Sequence, residues 1–193
     1  MKRLPILSTL LVLAAVAVMV SLGLWQLRRL HEKEAMLARY ALAENDRSVH
    51  PWPAAGAAPL GYTRLQLDCR PTGPTQAQAG RNASGRAGWA HVVDCVAPGG
   101  QRAKVVLGWS FNPQPMTWTG GIVTGTFVPK GDTVLVVADP ALAGLQSNAR
   151  PDPREIPNNH FGYAVQWFLF AGIALVIYAL ALRKRLAATP PRG

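Results

Sequence analysis

A histidine lies where a polar stretch of the chain meets a long apolar run. The residues three, four and seven positions after His160 share its face of a helix, and they are Tyr163, Ala164 and Trp167. Neutral imidazole is a common ligand of haem iron, and a small residue between aromatic rings leaves room for a flat porphyrin. The alternative is an interfacial histidine that caps or anchors the helix, as such residues usually do at membrane boundaries.

A second group of residues that could bind a ligand follows another apolar run. Trp25, Arg29 and Lys33 are spaced by four residues and form one stripe on a helix. Two cations at this spacing repel each other unless an anion lies between them, so a ligand with carboxylates would suit the stripe. The alternative is internal pairing, because Glu32 lies within one helical turn of both Arg28 and Arg29. The stripe would then be an ordinary interfacial anchor.

The two cysteines, Cys69 and Cys95, each end a run with the alternation of a strand. In an oxidising compartment they could form a disulfide across neighbouring strands, and otherwise they would be two buried thiols. The sequence does not show whether their Cα atoms come within bonding distance, so both states stay open. A copper site is not favoured, since there is no Cys-x-x-Cys or Cys-x-x-x-Cys and the four Met and four His are scattered.

Residue patterns typical of enzymes are missing from the sequence. It contains no Gly-x-Ser-x-Gly, no His-Glu-x-x-His and no glycine loop for phosphate, and no Cys-x-x-Cys-His for covalent haem. We therefore expect a protein that is not an enzyme. An envelope enzyme with a membrane-anchored β domain is kept as the third hypothesis, to be supported only by a cleft with clustered titratable groups.

Two apolar runs, 4–27 and 160–182, must position these residues. The first contains no charged residue, and from Phe161 to Leu182 the most polar side chain of the second is Gln166. Each run is long enough to cross the hydrocarbon core as a helix, with aromatic and basic residues at its ends. Hydrophobic residues make up 49% of the chain and charged residues 16%, which excludes a disordered chain and an ordinary cytosolic enzyme. The sequence predicts a membrane protein with two transmembrane helices.

The orientation of these helices follows weakly from charge. Basic residues near the two sides of the membrane are equally frequent, and the compact cluster 183–185 favours cytoplasmic termini, with 183–193 as a cytoplasmic tail. A cleaved signal peptide is the alternative for the first run, which however continues well past the small-x-small site 15–17. Without an Arg/Ser-rich transit segment, we expect the inner membrane of a bacterium and a periplasmic central domain.

The net charge of +10 does not indicate nucleic-acid binding. The central part of the chain has no long Lys/Arg run and no aromatic-basic motif. Charges at the ends of the spans, facing anionic lipid headgroups, account for the excess. We expect the protein to interact with the lipid bilayer and not with nucleic acid.

The segment between the runs, 28–157, is predicted to be the extracytoplasmic domain. Apolar residues at helical spacing predict a helical extension over 28–44, and a Pro/Ala/Gly linker follows over 51–61. Over 62–140 the period changes to two, and turn residues separate about five short β-branched runs. The predicted fold is a membrane α+β protein in which two transmembrane helices flank a small antiparallel β-rich, barrel-like domain.

Both membrane boundaries carry longer motifs. After the first run the chain has a Gly-x-Trp-Gln-x-x-Arg-x-x-x-Lys pattern over 23–33, and it enters the second run as Pro-Asn-Asn-His, Tyr-Ala and Trp-Phe over 157–168. These two stretches resemble the surfeit locus protein 1 family, assembly factors for cytochrome c oxidase. In the centre the chain keeps the Gly-Trp pair at 108–109 of a family strand, but Leu107 stands where the family has an arginine. The resemblance is firm at both ends and looser in the centre.

The resemblance implies a non-enzymatic chaperone that assists the insertion of haem a into the core catalytic subunit of the oxidase. It makes His160 the candidate axial ligand of the haem iron, with Tyr163 and Trp167 beside it. Trp25, Arg29 and Lys33 would then meet the haem propionates at the level of the headgroups. The implied partners are the core subunit and other assembly factors. The family also favours cytoplasmic termini and an external domain.

The alternative function is a purely structural membrane adaptor that stabilises an oxidase subunit without binding haem. The boundary motifs would then serve helix packing and anchoring. Ala17 and Ser21 form a small-x-x-x-small pair, which would allow the first helix to pack closely on another helix.

Overall fold

The computed structural model describes residues 5–53, 59–130 and 133–187. The described residues fall into two compact units. The helical unit consists of 5–36 and 157–187, and the β unit consists of the described residues from 37 to 156. The elements are α1 (Ile6–Asn45), β1 (His50–Pro51), β2 (Arg64–Pro71), β3 (Gln76–Arg81), β4 (Ala87–Val96), β5 (Arg102–Ser110), β6 (Gly121–Lys130), β7 (Thr133–Ala138) and α2 (His160–Ala187).

The helices α1 and α2 are both long and apolar enough to cross a membrane. The segments predicted separately as span and extension, 4–27 and 28–44, belong to one helix of 40 residues, because no proline or turn residue interrupts the helix formers between them. Residue 4 lies outside the described residues, as do 54–58 of the predicted linker, 131–132 of the predicted strand region and 188–193 of the predicted tail. The basic cluster 183–185 belongs to the C-terminal end of α2, with Lys184 and Arg185 in its last turn.

Within the helical unit, α1 and α2 run antiparallel and contact each other along their length. Thr9 and Tyr178 share a hydrogen bond between their hydroxyls, and Gly23 lies against Phe168. The residues of α1 on this side are at least partly buried and alternate in steps of three and four: Thr9, Val12, Val16, Met19, Gly23, Gln26 and Leu30. This is the spacing of closely paired helices.

Small residues allow this close approach. Gly23, Ala164 and Ala171 are buried although both helices are otherwise exposed over most of their surface. Lipid is as apolar as leucine, so helices in a membrane associate through fit and hydrogen bonds rather than through hydrophobic burial. A Cβ built on Gly23 would lie 2.7 Å from Cε1 of Phe168, so any larger residue would force the Phe168 ring to move.

The β unit is a single seven-stranded sheet in the order β1-β2-β6-β7-β5-β4-β3, in which β2 also pairs with β4. The strands β2, β6, β7, β5 and β4 therefore form a closed ring of pairings, with β1 and β3 attached outside it. The alternating pattern of Leu65, Leu67 and Cys69 arises because these side chains point into the core, where each is at most 2% exposed.

The predicted antiparallel arrangement is wrong at two pairings. The sheet is mixed, since β1 pairs in parallel with β2 and β5 pairs in parallel with β7. β7 forms an antiparallel hairpin with β6 and inserts between β6 and β5, which the long connection over 111–120 permits. Alternation in a sequence reports which face of a strand is buried and carries no information about its neighbour.

Two strands fall outside the predicted pattern. β3 has the sequence QAQAGR, is largely exposed and contains no β-branched residue. β1 has only two residues, at the start of the predicted linker. The other five strands coincide with the alternating or β-branched runs.

Candidate functional site

His160 opens α2 and is held from one side by Gln26 of α1. The Nδ1 atom of His160 lies 2.7 Å from Oε1 of Gln26, and the contact is partly buried. An amide oxygen accepts hydrogen bonds and cannot donate one, so Nδ1 must carry the hydrogen for this contact to be a hydrogen bond. In a neutral ring Nε2 then has a free lone pair. Among the residues the structure describes, none forms a hydrogen bond with Nε2.

The predicted companions of His160 differ in their exposure. Tyr163 is 52% exposed, and Trp167 is half-buried with its ring edge-on to that of Phe170 at 6.1 Å. Ala164 is 1% exposed because it faces α1, so a flat ligand has no room above it. The open side of His160 is therefore that of Tyr163 and not that of Ala164.

The stripe predicted on α1 is present, but one of its cations is already paired. Arg29 donates a hydrogen bond from Nη1 to Oε2 of Glu32, at 2.5 Å, and both side chains are more than half exposed. Lys33 is half-buried and, within the described residues, has no ion pair. Trp25 is 46% exposed. An exposed ion pair contributes only about 0–1 kcal/mol, so Arg29 remains available to a better acceptor.

Gln26 and Phe168 are the residues whose contribution the sequence did not reveal. Both belong to the boundary motifs, yet their partners lie on the other helix, 134 residues away for Gln26. A signal was present in retrospect, because Gln26 is the only polar side chain in the last turn of an uncharged run. A buried amide in such a place requires a hydrogen-bond partner.

A second polar group beside the site has no partner. The Oδ1 atom of Asn158, two residues before His160, is buried and accepts no hydrogen bond from the described residues. Buried acceptors in native structures are nearly always satisfied, by protein groups or by ordered water. Within residues 5–53, 59–130 and 133–187 no three His, Cys, Asp or Glu side chains are grouped as metal ligands.

The geometry can now be compared with known proteins. The family model described as the SURF1 family matches residues 13–172, which include both boundary motifs and the whole β unit. The chain belongs to the SURF1 family. This family is known for the assembly of cytochrome c oxidase, and its members are assembly factors rather than catalytic enzymes. No curated protein sequence matches the chain significantly.

Leu107, where the resemblance led us to expect an arginine, lies in the core of this SURF1 family member. It is 0% exposed, and the neighbouring Trp109 is equally buried. A Cβ on Gly88 would lie 2.2 Å from Cζ2 of Trp109, so glycine on β4 makes room for this indole. Position 107 therefore has a packing function here.

The two cysteines are joined in the β unit of this SURF1 family member. The Cα atoms of Cys69 and Cys95 are 5.4 Å apart, and the disulfide connects β2 to β4. The same two strands share only the pairings Arg70 with Val96 and Pro71 with Cys95. The disulfide therefore joins β2 and β4 where the closed ring of strands has the fewest paired residues.

A polar cleft of about 560 Å³ also lies in the β unit. Burial raises the pKa of the Tyr62 phenol there, while a hydrogen bond from the backbone of Ser48 lowers the pKa of Asp46. Arg64 donates to Oδ2 of Asp139 at 2.9 Å. The residues that line the cleft include no serine, cysteine or histidine. Beside it, Oγ of Ser48 lies 2.9 Å from Nε2 of His50, and both side chains are exposed.

Proposed function

We propose that this chain is a membrane-bound assembly factor for cytochrome c oxidase that holds haem a through Nε2 of His160 and assists its insertion into the core catalytic subunit. The observation that carries the proposal is the hydrogen bond between Nδ1 of His160 and Oε1 of Gln26. In a neutral ring that donates from Nδ1, Nε2 has a free lone pair and no partner among the described residues, which suits a haem-iron ligand.

The residues around His160 fit such a group. Haem a, if bound, would supply an iron centre for His160 to ligate and a ring that is apolar except at its polar substituents. Tyr163 offers an exposed aromatic surface one helical turn from the imidazole. Tyr163 would orient the ligand, and His160 would hold it.

The cations of α1 have a separate part in this proposal. Lys33 has no ion pair among the described residues, and Arg29 is held only by the exposed Glu32. Haem propionates at the headgroup level would meet these donors, and Trp25 would anchor the helix there. Charge-assisted hydrogen bonds of this kind are about twice as strong as neutral ones.

The proposed location is the inner membrane of a bacterium. Both termini lie in the cytoplasm, and the β unit lies in the periplasm, an oxidising compartment in which the disulfide of Cys69 and Cys95 persists. The proposed partners are the oxidase core subunit, other assembly factors and the lipid bilayer. Nucleic acid is not among them.

The test is the absorption spectrum of the protein purified from membranes that also make haem a. We expect a haem a band in the wild type and its loss in His160→Ala. The matched control is His31→Ala, because His31 is an exposed histidine on the same helical unit. A band that persists in His160→Ala would show that another residue ligates the haem iron. No band in any variant, with haem a present in the membranes, would overturn the haem proposal.

The second candidate is the structural adaptor, and one observation favours it. Ala17 and Ser21 are exposed on α1, and the hydroxyl of Ser21 donates to the carbonyl of Ala17 at 2.8 Å. This small surface is not used by the contact with α2 and is open to a helix of another protein. If His160→Ala fully restores oxidase activity in cells that lack the wild-type gene, the adaptor is the correct function.

A further inference from the structure

We infer that Gln26 is the positioning residue of the His160 site: it fixes His160 in the tautomer with hydrogen on Nδ1 and so presents Nε2 outward. The tautomer is a property of this chain without any ligand. Its use in haem binding rests on the proposed function.

Helix packing leaves Gln26 little freedom. It belongs to the partly buried side of α1, three residues after Gly23 and four before Leu30. Gly23 is in contact with Phe168 of α2, so this turn of α1 lies close to α2 and the Gln26 amide is directed at the first turn of that helix. The 2.7 Å contact is the result.

The chemistry of the two groups then determines the position of the hydrogen. Oε1 of Gln26 accepts, so the ring must donate from Nδ1. In a partly buried, apolar setting such a hydrogen bond is stronger than in water, and leaving either group unsatisfied is costly. Ligating histidines almost always donate their second ring N–H to such a partner.

The opposite amide orientation makes the opposite prediction. If the amide nitrogen of Gln26 faced Nδ1, the ring would accept there and carry its hydrogen on Nε2. His160 would then have no lone pair for a metal without a change of tautomer. The position of one hydrogen therefore distinguishes a ligand site from a helix cap.

Nitrogen NMR of the full-length protein in detergent micelles, labelled with ¹⁵N at histidine, measures this hydrogen directly. Protonated and unprotonated ring nitrogens have well-separated shifts, and the signal of His160 is identified by its loss in His160→Ala. We expect hydrogen on Nδ1 in the wild type. In Gln26→Leu we expect the ratio of the Nδ1–H to the Nε2–H tautomer to fall by roughly fivefold, the effect of one hydrogen bond.

Two further variants separate positioning from folding. Gln26→Glu keeps an acceptor at the same place, so the Nδ1–H tautomer should be retained. Gln166→Leu changes the exposed glutamine of α2 and should leave the His160 signals unchanged. Far-UV circular dichroism of all variants reports whether the helices still form.

Haem occupancy supplies the second measurement. We expect Gln26→Leu to weaken haem a binding by roughly 10–100-fold, as loss of such a partner does at metal sites, and Gln26→Glu to restore it. Hydrogen on Nε2 in the wild type, or a tautomer unchanged in Gln26→Leu, would overturn the inference. An Nδ1–H tautomer in a wild type that takes up no haem a would overturn the proposed function and leave the positioning by Gln26 intact.

Discussion

The helical unit and the β unit are stabilised by different interactions. In the helical unit the buried contact uses small residues, Gly23, Ala164 and Ala171, together with hydrogen bonds between side chains. In the β unit the core consists of branched apolar side chains and a disulfide. Burial of apolar surface drives the folding of the β unit. Between helices in lipid the same burial gives no net gain in free energy. The helical unit therefore depends on fit, and the β unit on exclusion of water.

This difference explains where the family motifs lie. The boundary motifs contribute Gly23, Gln26, His160 and Phe168 to the contact between α1 and α2, so these four have a steric or hydrogen-bonding reason. The core of the β unit instead tolerates exchange among apolar residues as long as volume is kept.

The largest expected effect is that of Leu107→Arg, which restores the family residue. Position 107 is 0% exposed, and no carboxylate ion pair is available to an added arginine among the core residues described. An unpaired buried charge costs about 3–5 kcal/mol, so the β unit should unfold or lose most of its stability. Urea unfolding of the full chain measures this, with Leu107→Met as the volume-matched control. Equal stability of Leu107→Arg would show that the core can present this position to solvent.

Loss of the disulfide should have the second-largest effect on stability. Cys69 and Cys95 are separated by 26 residues, and a loop of this size contributes about 3 kcal/mol to the free energy of unfolding. We expect the double variant Cys69→Ala, Cys95→Ala to unfold at lower urea concentration, and reduced wild type to behave in the same way. The helical unit contains no cysteine, so its unfolding in SDS should not change. A shift there would contradict the separation of the two units.

Gly23→Ala should damage the helical unit and spare the β unit. The added methyl would lie within 2.7–2.8 Å of the Phe168 ring, and overpacking of this kind costs about 1–3 kcal/mol. We expect earlier loss of helix in an SDS titration followed by circular dichroism. Gly172→Ala is the matched control because no atom lies within 4 Å of its added Cβ. If Gly23→Ala combined with Phe168→Leu is no better than Gly23→Ala alone, the steric explanation is wrong.

The smallest expected effect is a pH dependence at the surface of the β unit. Hydrogen bonds from the side chain and backbone of Arg154 lower the pKa of Asp152, which caps the turn Pro153–Glu155. A lowered pKa in the folded state means that this stabilisation is present above the ordinary carboxyl pKa. It disappears as pH falls through the lowered value. Asp152→Asn should be less stable than wild type near neutral pH, and the two urea midpoints should converge in acid. A constant difference at all pH values would exclude this cause.

Much of the architecture could be predicted from local patterns. The fold class is confirmed, with two long apolar helices flanking a β domain, and membership of the SURF1 family agrees with the boundary motifs. Helical and strand periodicities are properties of neighbouring residues, so a sequence displays them directly. The roles of His160, Lys33 and Trp25 in haem binding remain predictions, because nothing in the fold of the chain alone tests a ligand.

What the sequence by itself determined is the type of each long element, the buried side of the core strands and the motif residues at the ends of the helices. Only the tertiary structure decided that β7 inserts in parallel beside β5, that Cys69 bonds to Cys95 and that Gln26 reaches His160. Each of these depends on which elements become neighbours. That choice follows from the packing of whole faces, and a pattern read along one strand or helix does not contain it.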